Sequence, residues 1–117
     1  MKLLNVLQSA LFCFSAFLLP ANIYAAEGQP GEAIFTAMKC TQCHGTAAKQ
    51  RGPSLIKIAN MYADTEELLL FFNGEKDSIV EPERAKTMRP RLRKIMKRSD
   101  ADKKALAEYI LGFKETP

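Results

Sequence analysis

Apolar positions along the chain form one long run followed by several shorter stretches at helical spacing. The run extends from Leu3 to Leu19 behind Lys2, is diluted by Asn5, Gln8 and Ser9, and breaks at Pro20. After it, Ala33, Ile34, Ala37 and Met38 recur with the period of a helix behind a Gly-Gln-Pro-Gly turn, which predicts a short helix over Gly31 to Lys39. The segment from Gly45 to Pro53 is small, polar and turn-prone, so it predicts a loop, and Leu55, Ile56 and Ile58 predict a short helical turn beyond it. Asp64 or Thr65 can cap a further helix, with Glu66 and Glu67 at the positive end of its dipole and Asn73-Gly74 as its stop. Leu68 to Phe72 are apolar nearly all round, as in a helix buried on more than one face. Glu75 to Pro82 reads as a connecting loop, Pro82 to Lys86 as one more turn, and the basic stretch around Met96 as helical. Ser99 followed by Asp102 resembles a capping box with the shorter acid. It opens a last helix in which Leu106, Tyr109, Ile110 and Phe113 recur at i, i+3, i+4 and i+7, with Gly112 weakening or ending it. No strand pattern of useful length, internal repeat or low-complexity tract interrupts this series, which predicts an all-α fold.

At 117 residues, 47% hydrophobic and 26% charged, the composition is that of one soluble domain. The apolar run, Pro20 and the Ile23-Tyr24-Ala25 stretch before Ala26 read together as a secretory signal peptide over residues 1–25. The run approaches the length of a membrane span, but its polar residues and the small-residue cleavage site favour an exported leader over an anchor. Cys13 lies inside the run behind the bulky Phe12 and does not resemble a lipoprotein acceptor. Residues 26–117 then form a single domain with a modest protein core. It keeps only Cys40 and Cys43, so no disulfide framework is available. Its charge is unevenly distributed: ten basic residues face two acidic ones between Arg84 and Lys104, against five basic and nine acidic over residues 26–83.

Cys40-Thr41-Gln42-Cys43-His44 carries the chemistry. Two thiols three residues apart with an imidazole directly after the second form the c-type haem attachment pattern: each thiol can bond a porphyrin vinyl group while His44 turns up beneath the iron. Zinc and thiol redox chemistry are the competing readings. A structural zinc site wants four Cys or His ligands, and residues 26–117 supply only Cys40, Cys43 and His44, the sole histidine of the chain. A thioredoxin-like dithiol is expected beside a βαβ pattern, which is missing from this sequence. One covalently attached haem c is therefore the expected cofactor, and it would enlarge the core.

With these residues in view, positions 28–114 resemble the class I c-type cytochromes, particularly the small single-haem bacterial electron carriers. Besides the Cys40 to His44 motif, the resemblance rests on Gly31 and Phe35, on Gly52-Pro53-Ser54-Leu55, on Met88 and on Tyr109-Ile110. It implies a cytochrome c fold of three to five short helices wrapped around the haem, in which the first and last helices cross with Gly31 and Phe35 against Tyr109. It also implies that the Pro53 carbonyl accepts the free ring N–H of His44, and that haem attachment takes place beyond the cytoplasmic membrane, which agrees with the leader and points to the periplasm.

The sixth iron position needs a ligand opposite His44, and a thioether there raises the potential. Met38 directly precedes the attachment motif, Met61 follows His44 closely, and Met96 lies in the basic stretch, whereas Met88 falls in a late loop before Pro90. Met88 is the expected ligand, with Met61 next. Arg89 separates Met88 from Pro90, where the commoner small cytochromes have Met followed directly by Pro, so the loop geometry is expected to differ. Leu55, Ile58, Leu69, Phe72 and Leu92 are expected haem contacts by position and polarity. Lys86, Arg89 and Arg91 flank Met88 and either orient an acidic redox partner or form an ordinary solvated face. No aromatic interleaving in the run points to nucleic acid. The expected protein is a monomeric electron carrier rather than an enzyme, without a membrane anchor. A haem subunit of a periplasmic oxidoreductase, a ligand-binding haem sensor with a labile sixth ligand, and an interaction protein with a structural haem are the other readings.

Overall fold

In the computed structural model, which describes residues 28–117, five α-helices and two 3-10 segments follow one another, with no strand among the described residues. The leader expected over residues 1–25, with Cys13, lies outside the described residues. Helix α1 (Pro30–Ala37) starts at a proline, whose missing N–H falls where helical donors have no partner anyway. It ends two residues before the expected Lys39, because Lys39 is left-handed (φ 58°) and turns the chain into a 3-10 segment at Cys40–Gln42.

Ser54 initiates α2 (Leu55–Met61) by accepting the Lys57 N–H at 3.1 Å, so the expected short turn is a complete helix. Asp64 initiates α3 (Thr65–Phe72) in the same way, accepting the Glu67 N–H at 2.9 Å, while the Glu67 carboxylate accepts the Ala63 N–H at 2.8 Å. Asn73 caps its end and Gly74, at φ 74°, carries the chain out of it. Leu68 and Phe72 are buried and Leu69 and Phe71 half-buried, but Leu70 faces solvent, so one edge of α3 is open.

The second 3-10 segment (Pro82–Met88) runs directly into α4 (Arg89–Met96), with Pro90 tolerated in the first turn. Ser99 caps α5 (Asp100–Leu111) by accepting the Asp102 N–H at 3.1 Å. Asp102 does not complete a capping box: its carboxylate accepts from Arg98 at 2.9 Å. Gly112 ends the helix.

Helix α5 is the central element, with α1, α2 and α3 packed on it. Its crossing with α1 is close enough to need a glycine: a Cβ at Gly31 would lie 2.1 Å from the Ala105 carbonyl oxygen and 2.5 Å from the Tyr109 Cβ. One turn on, the Phe35 and Tyr109 rings meet at 5.5 Å between centroids. Leu55, Leu68, Phe72, Ile95, Leu106 and Ile110 fill the core beneath this crossing. At the other end of the chain, Lys114 donates to the carbonyls of Tyr62 and Ala63, each at 2.9 Å, and places a cation at the negative end of α2. No helix among the described residues is long and apolar enough to cross a membrane.

Candidate haem-binding site

The left-handed turn at Lys39 feeds the cysteine motif into a 3-10 segment, in which side chains at i and i+3 eclipse one another. Cys40 and Cys43 accordingly line the same cavity. The backbone behind them is tied down: the His44 N–H donates to the Cys40 carbonyl at 3.0 Å, Gly52 to Cys43 at 2.8 Å, Leu55 to Gly45 at 2.8 Å and Ile56 to Thr46 at 3.1 Å. Residues 43–46 thus lie against 52–56, and Pro53 comes to rest behind His44.

His44 Nδ1 lies 2.7 Å from the Pro53 carbonyl oxygen. A carbonyl only accepts, so Nδ1 carries the proton and the neutral ring keeps its lone pair on Nε2, the state a metal ligand needs. Gly52 makes room for this arrangement, since a Cβ there would lie 2.8 Å from His44 Cε1. The geometry assigned to Pro53 by resemblance is therefore present in the chain's own packing.

His44, Pro53 and Met88 line the cavity that the two cysteines line. It has a volume of about 540 Å³ and a mainly apolar wall that includes Phe35, Ile58, Tyr62, Leu68, Phe72, Ile95 and Ile110. Met38 is buried elsewhere, Met61 and Met96 are largely exposed, and Met88 is the one methionine among the lining residues. Met88 sits at the end of a 3-10 segment and not in an extended loop; Pro82 starts that segment and Pro90 allows α4 to follow without a break. Of the five expected contacts, Ile58 and Phe72 line the cavity. Leu55, Leu69 and Leu92 do not; they pack in or against the protein core. Phe35, Leu68, Val80 and Ile95 line the cavity and were missed, because helical periodicity marks an inward face without saying which hollow it meets.

One edge of the cavity is polar, with Arg51, Ser78, Glu81 and Arg84. Beside them the Tyr62 hydroxyl is buried without a hydrogen-bond partner. Burial pushes its pKa up, offset in part by the Ile79 backbone N–H and Ser78, which lie near the phenol without meeting it in hydrogen-bond geometry; the Ser78 hydroxyl donates instead to the Val80 carbonyl at 2.8 Å. A flat, largely apolar group with anionic ends fits this cavity: the apolar wall would take the ring, and the orphaned Tyr62 phenol and Arg51 on the polar edge would suit an anionic end. Haem has that shape and charge. A thiol redox centre fits less well, because burial pushes the Cys40 thiol up, only partly offset by Arg91, whereas a reactive cysteine needs its pKa lowered.

A second, polar cleft of about 530 Å³ adjoins the first between the end of α1 and α4, and Lys39, Gln42, Arg91 and Lys94 line both. Lys97 and Arg98 complete its cationic lining, and of these basic residues only Arg98 has an ion-pair partner among the described residues, Asp102.

A family model described as Cytochrome c matches residues 28–114. No curated protein matches the chain.

Proposed function

The chain belongs to the cytochrome c family, with the haem c and electron-transfer role that membership carries, and from that premise we propose that it is a single-haem electron carrier of the periplasm with His44 and Met88 as axial ligands. The observation that carries this reading is the convergence of Cys40, Cys43, His44, Pro53 and Met88 on one mainly apolar cavity. Haem c, when bound, supplies a one-electron ferric/ferrous couple.

The chain's own residues do the rest. Cys40 and Cys43 would hold the porphyrin through thioethers. Pro53 fixes the His44 tautomer and ring orientation, leaving Nε2 free to ligate iron. Met88 would supply a soft thioether, which favours the reduced iron. Phe35, Leu68, Phe72 and Ile95 exclude water from the cavity, which keeps the change in solvation between the two charge states small.

Redox partners dock on the basic face. Lys86 and Arg89 are exposed, and Arg91 lies between the two cavities beside Lys39 and Lys94, so an acidic partner surface finds a positive field next to the cofactor. Export by the leader brings the chain to the compartment where c-type haem is attached.

A visible spectrum of haem-loaded protein tests the ligand set. The ferric form should show the far-red sulfur-to-iron band, and Met88→Ala should abolish it; a band that survives the substitution overturns the assignment. Carbon monoxide binding to the unmutated ferrous protein would move the reading to a sensor or an oxidoreductase subunit. The docking face predicts an electron-transfer rate that falls as ionic strength rises, and a flat response would leave it an ordinary solvated surface.

A further inference from the structure

We propose that Glu81 is a positioning residue whose carboxylate ties the Met88-bearing segment to the loop supporting His44 and so holds the sixth ligand in place. The inference rests on Met88 being that ligand.

Glu81 is one of only two non-glycine residues with positive φ among the described residues, at φ 49° and ψ 58°. Such a conformation persists only where the surroundings over-determine it, and it clusters at functional sites. The other is Lys39, which delivers the cysteine motif. Glu81 directly precedes Pro82, the first residue of the 3-10 segment that ends at Met88, and its side chain is only 9% exposed.

Three cations from three elements converge on this carboxylate: Lys57 of α2 at 2.9 Å, Lys49 of the loop after His44 at 3.3 Å, and Arg84 of the 3-10 segment at 3.4 Å. Arg84 also donates to the Arg51 carbonyl at 2.7 Å. Arg51 leads through Gly52 to Pro53, whose carbonyl holds His44. A continuous polar path therefore joins the support of one axial ligand to the start of the segment bearing the other. Glu81, Arg84 and Arg51 line the cavity that this path borders. Lys57, with Lys49 behind it, holds the Glu81 carboxyl below its usual range, so the anion persists through neutral pH.

A residue that merely stabilised the fold would leave competition at the iron unchanged. A residue that holds Met88 resists its displacement. The test is a titration of ferric holoprotein with imidazole, read by the shift of the main haem absorption band, for the unmutated chain, Glu81→Gln, Met88→Ala and the double variant, with the far-red sulfur-to-iron band reporting Met88 ligation in the first two. Glu81→Gln should weaken the band and bind imidazole about tenfold more tightly, the scale of three partly exposed pairs acting through one carboxylate, with its far-UV dichroism retained. In the Met88→Ala background the same change should add nothing. Unaltered imidazole affinity in Glu81→Gln overturns the proposal. So does an equal gain in the Met88→Ala background, which would make Glu81 a gate to the cavity. If the band survives Met88→Ala, the ligand assignment has failed, and the inference falls with it on that separate observation. Should Glu81→Gln not fold, Arg84→Gln cuts the tie to Arg51 and carries the same expectation at smaller size; unaltered imidazole affinity there overturns the proposal as well.

Discussion

Replacing Tyr62 by Phe isolates a single buried hydroxyl, and the sign of its effect reports on what fills the cavity. The residue is 2% exposed, its oxygen has no hydrogen-bond partner, and Ser78 is already committed to Val80. Phe keeps the ring, including its contact with Phe71 at 6.3 Å. If the phenol stayed orphaned in the haem-loaded protein, removing it would relieve a desolvation cost of about 1–3 kcal/mol and stabilise the fold. The proposed site demands the opposite. An anionic end of the bound group would accept a hydrogen bond from the phenol, which burial keeps protonated through neutral pH, and a hydrogen bond to a charged group contributes roughly 1.5–3 kcal/mol. Tyr62→Phe should therefore destabilise the loaded protein. For a domain of this size each kcal/mol is worth about 4–8 °C, so the midpoint should fall by roughly 6–24 °C. Thermal unfolding of holoprotein followed by far-UV dichroism measures it. A midpoint that is unchanged or raised would refute the placement of an anionic group at this edge.

Gly31→Ala should destabilise the domain in urea titrations: forcing α1 and α5 apart costs about 1–3 kcal/mol, against about 1 kcal/mol gained in helix propensity, because the new Cβ meets the Ala105 carbonyl at 2.1 Å. A more stable variant would contradict that crossing. Gly52→Ala puts a Cβ 2.8 Å from His44 Cε1 and should loosen the bond to Pro53; the bond is worth about 0.5–1.5 kcal/mol, and the part of it that differs between ferric and ferrous states shifts the one-electron potential by at most a few tens of mV, read by equilibrium redox titration. The Glu67 carboxyl is held below its ordinary value of 4.5 by the Ala63 N–H and by Lys76. Its contribution to stability is fully present above that ordinary value and is lost as pH falls through the lower, folded one. Glu67→Gln should accordingly flatten the acid limb of the stability profile below about pH 4.5 and leave the neutral region's slope unchanged.

Local signals with a physical mechanism were legible in the sequence. Asp64, Asn73-Gly74 and Ser99 mark helix ends because a side-chain oxygen or a glycine meets a need that only helix ends have. The cysteine motif was legible because its spacing has few chemical uses, and the Gly31, Phe35 and Tyr109 crossing because resemblance supplied it. Features that depend on distant partners were not. Nothing in Lys39 itself predicts the left-handed turn that shortens α1, and the Met88 segment read as a loop because its 3-10 turns have too short a period to show as amphipathic helix. Leu55, Leu69 and Leu92 are inward-facing, as their spacing said, yet they meet protein and not the cavity. Tyr62 carried no mark in the sequence, since an orphaned hydroxyl becomes visible only when every neighbour is known. Glu81 was equally silent: its partners Lys49 and Lys57 lie 32 and 24 positions away.

The basic run of Arg84 to Lys104 illustrates how folding sorts one sequence feature into separate roles. Ten cations among the 21 residues from Arg84 to Lys104 predict a positive face, but four are withdrawn from it. Arg84 turns to Glu81 and the Arg51 carbonyl, Arg98 to Asp102, Lys104 to Glu108, and Lys103 is buried against Asn73 and Asp100. Lys86, Arg89, Arg91, Arg93, Lys94 and Lys97 have no ion-pair partner among the described residues, and they cluster on α4 or within three residues of its ends. The positive field is thus narrower than the sequence implies, and it lies on a helix that borders both the apolar cavity and the polar cleft. A partner drawn to that field would arrive beside the cavity, because the same segment that carries Met88 into the cavity continues as the helix that displays the charge.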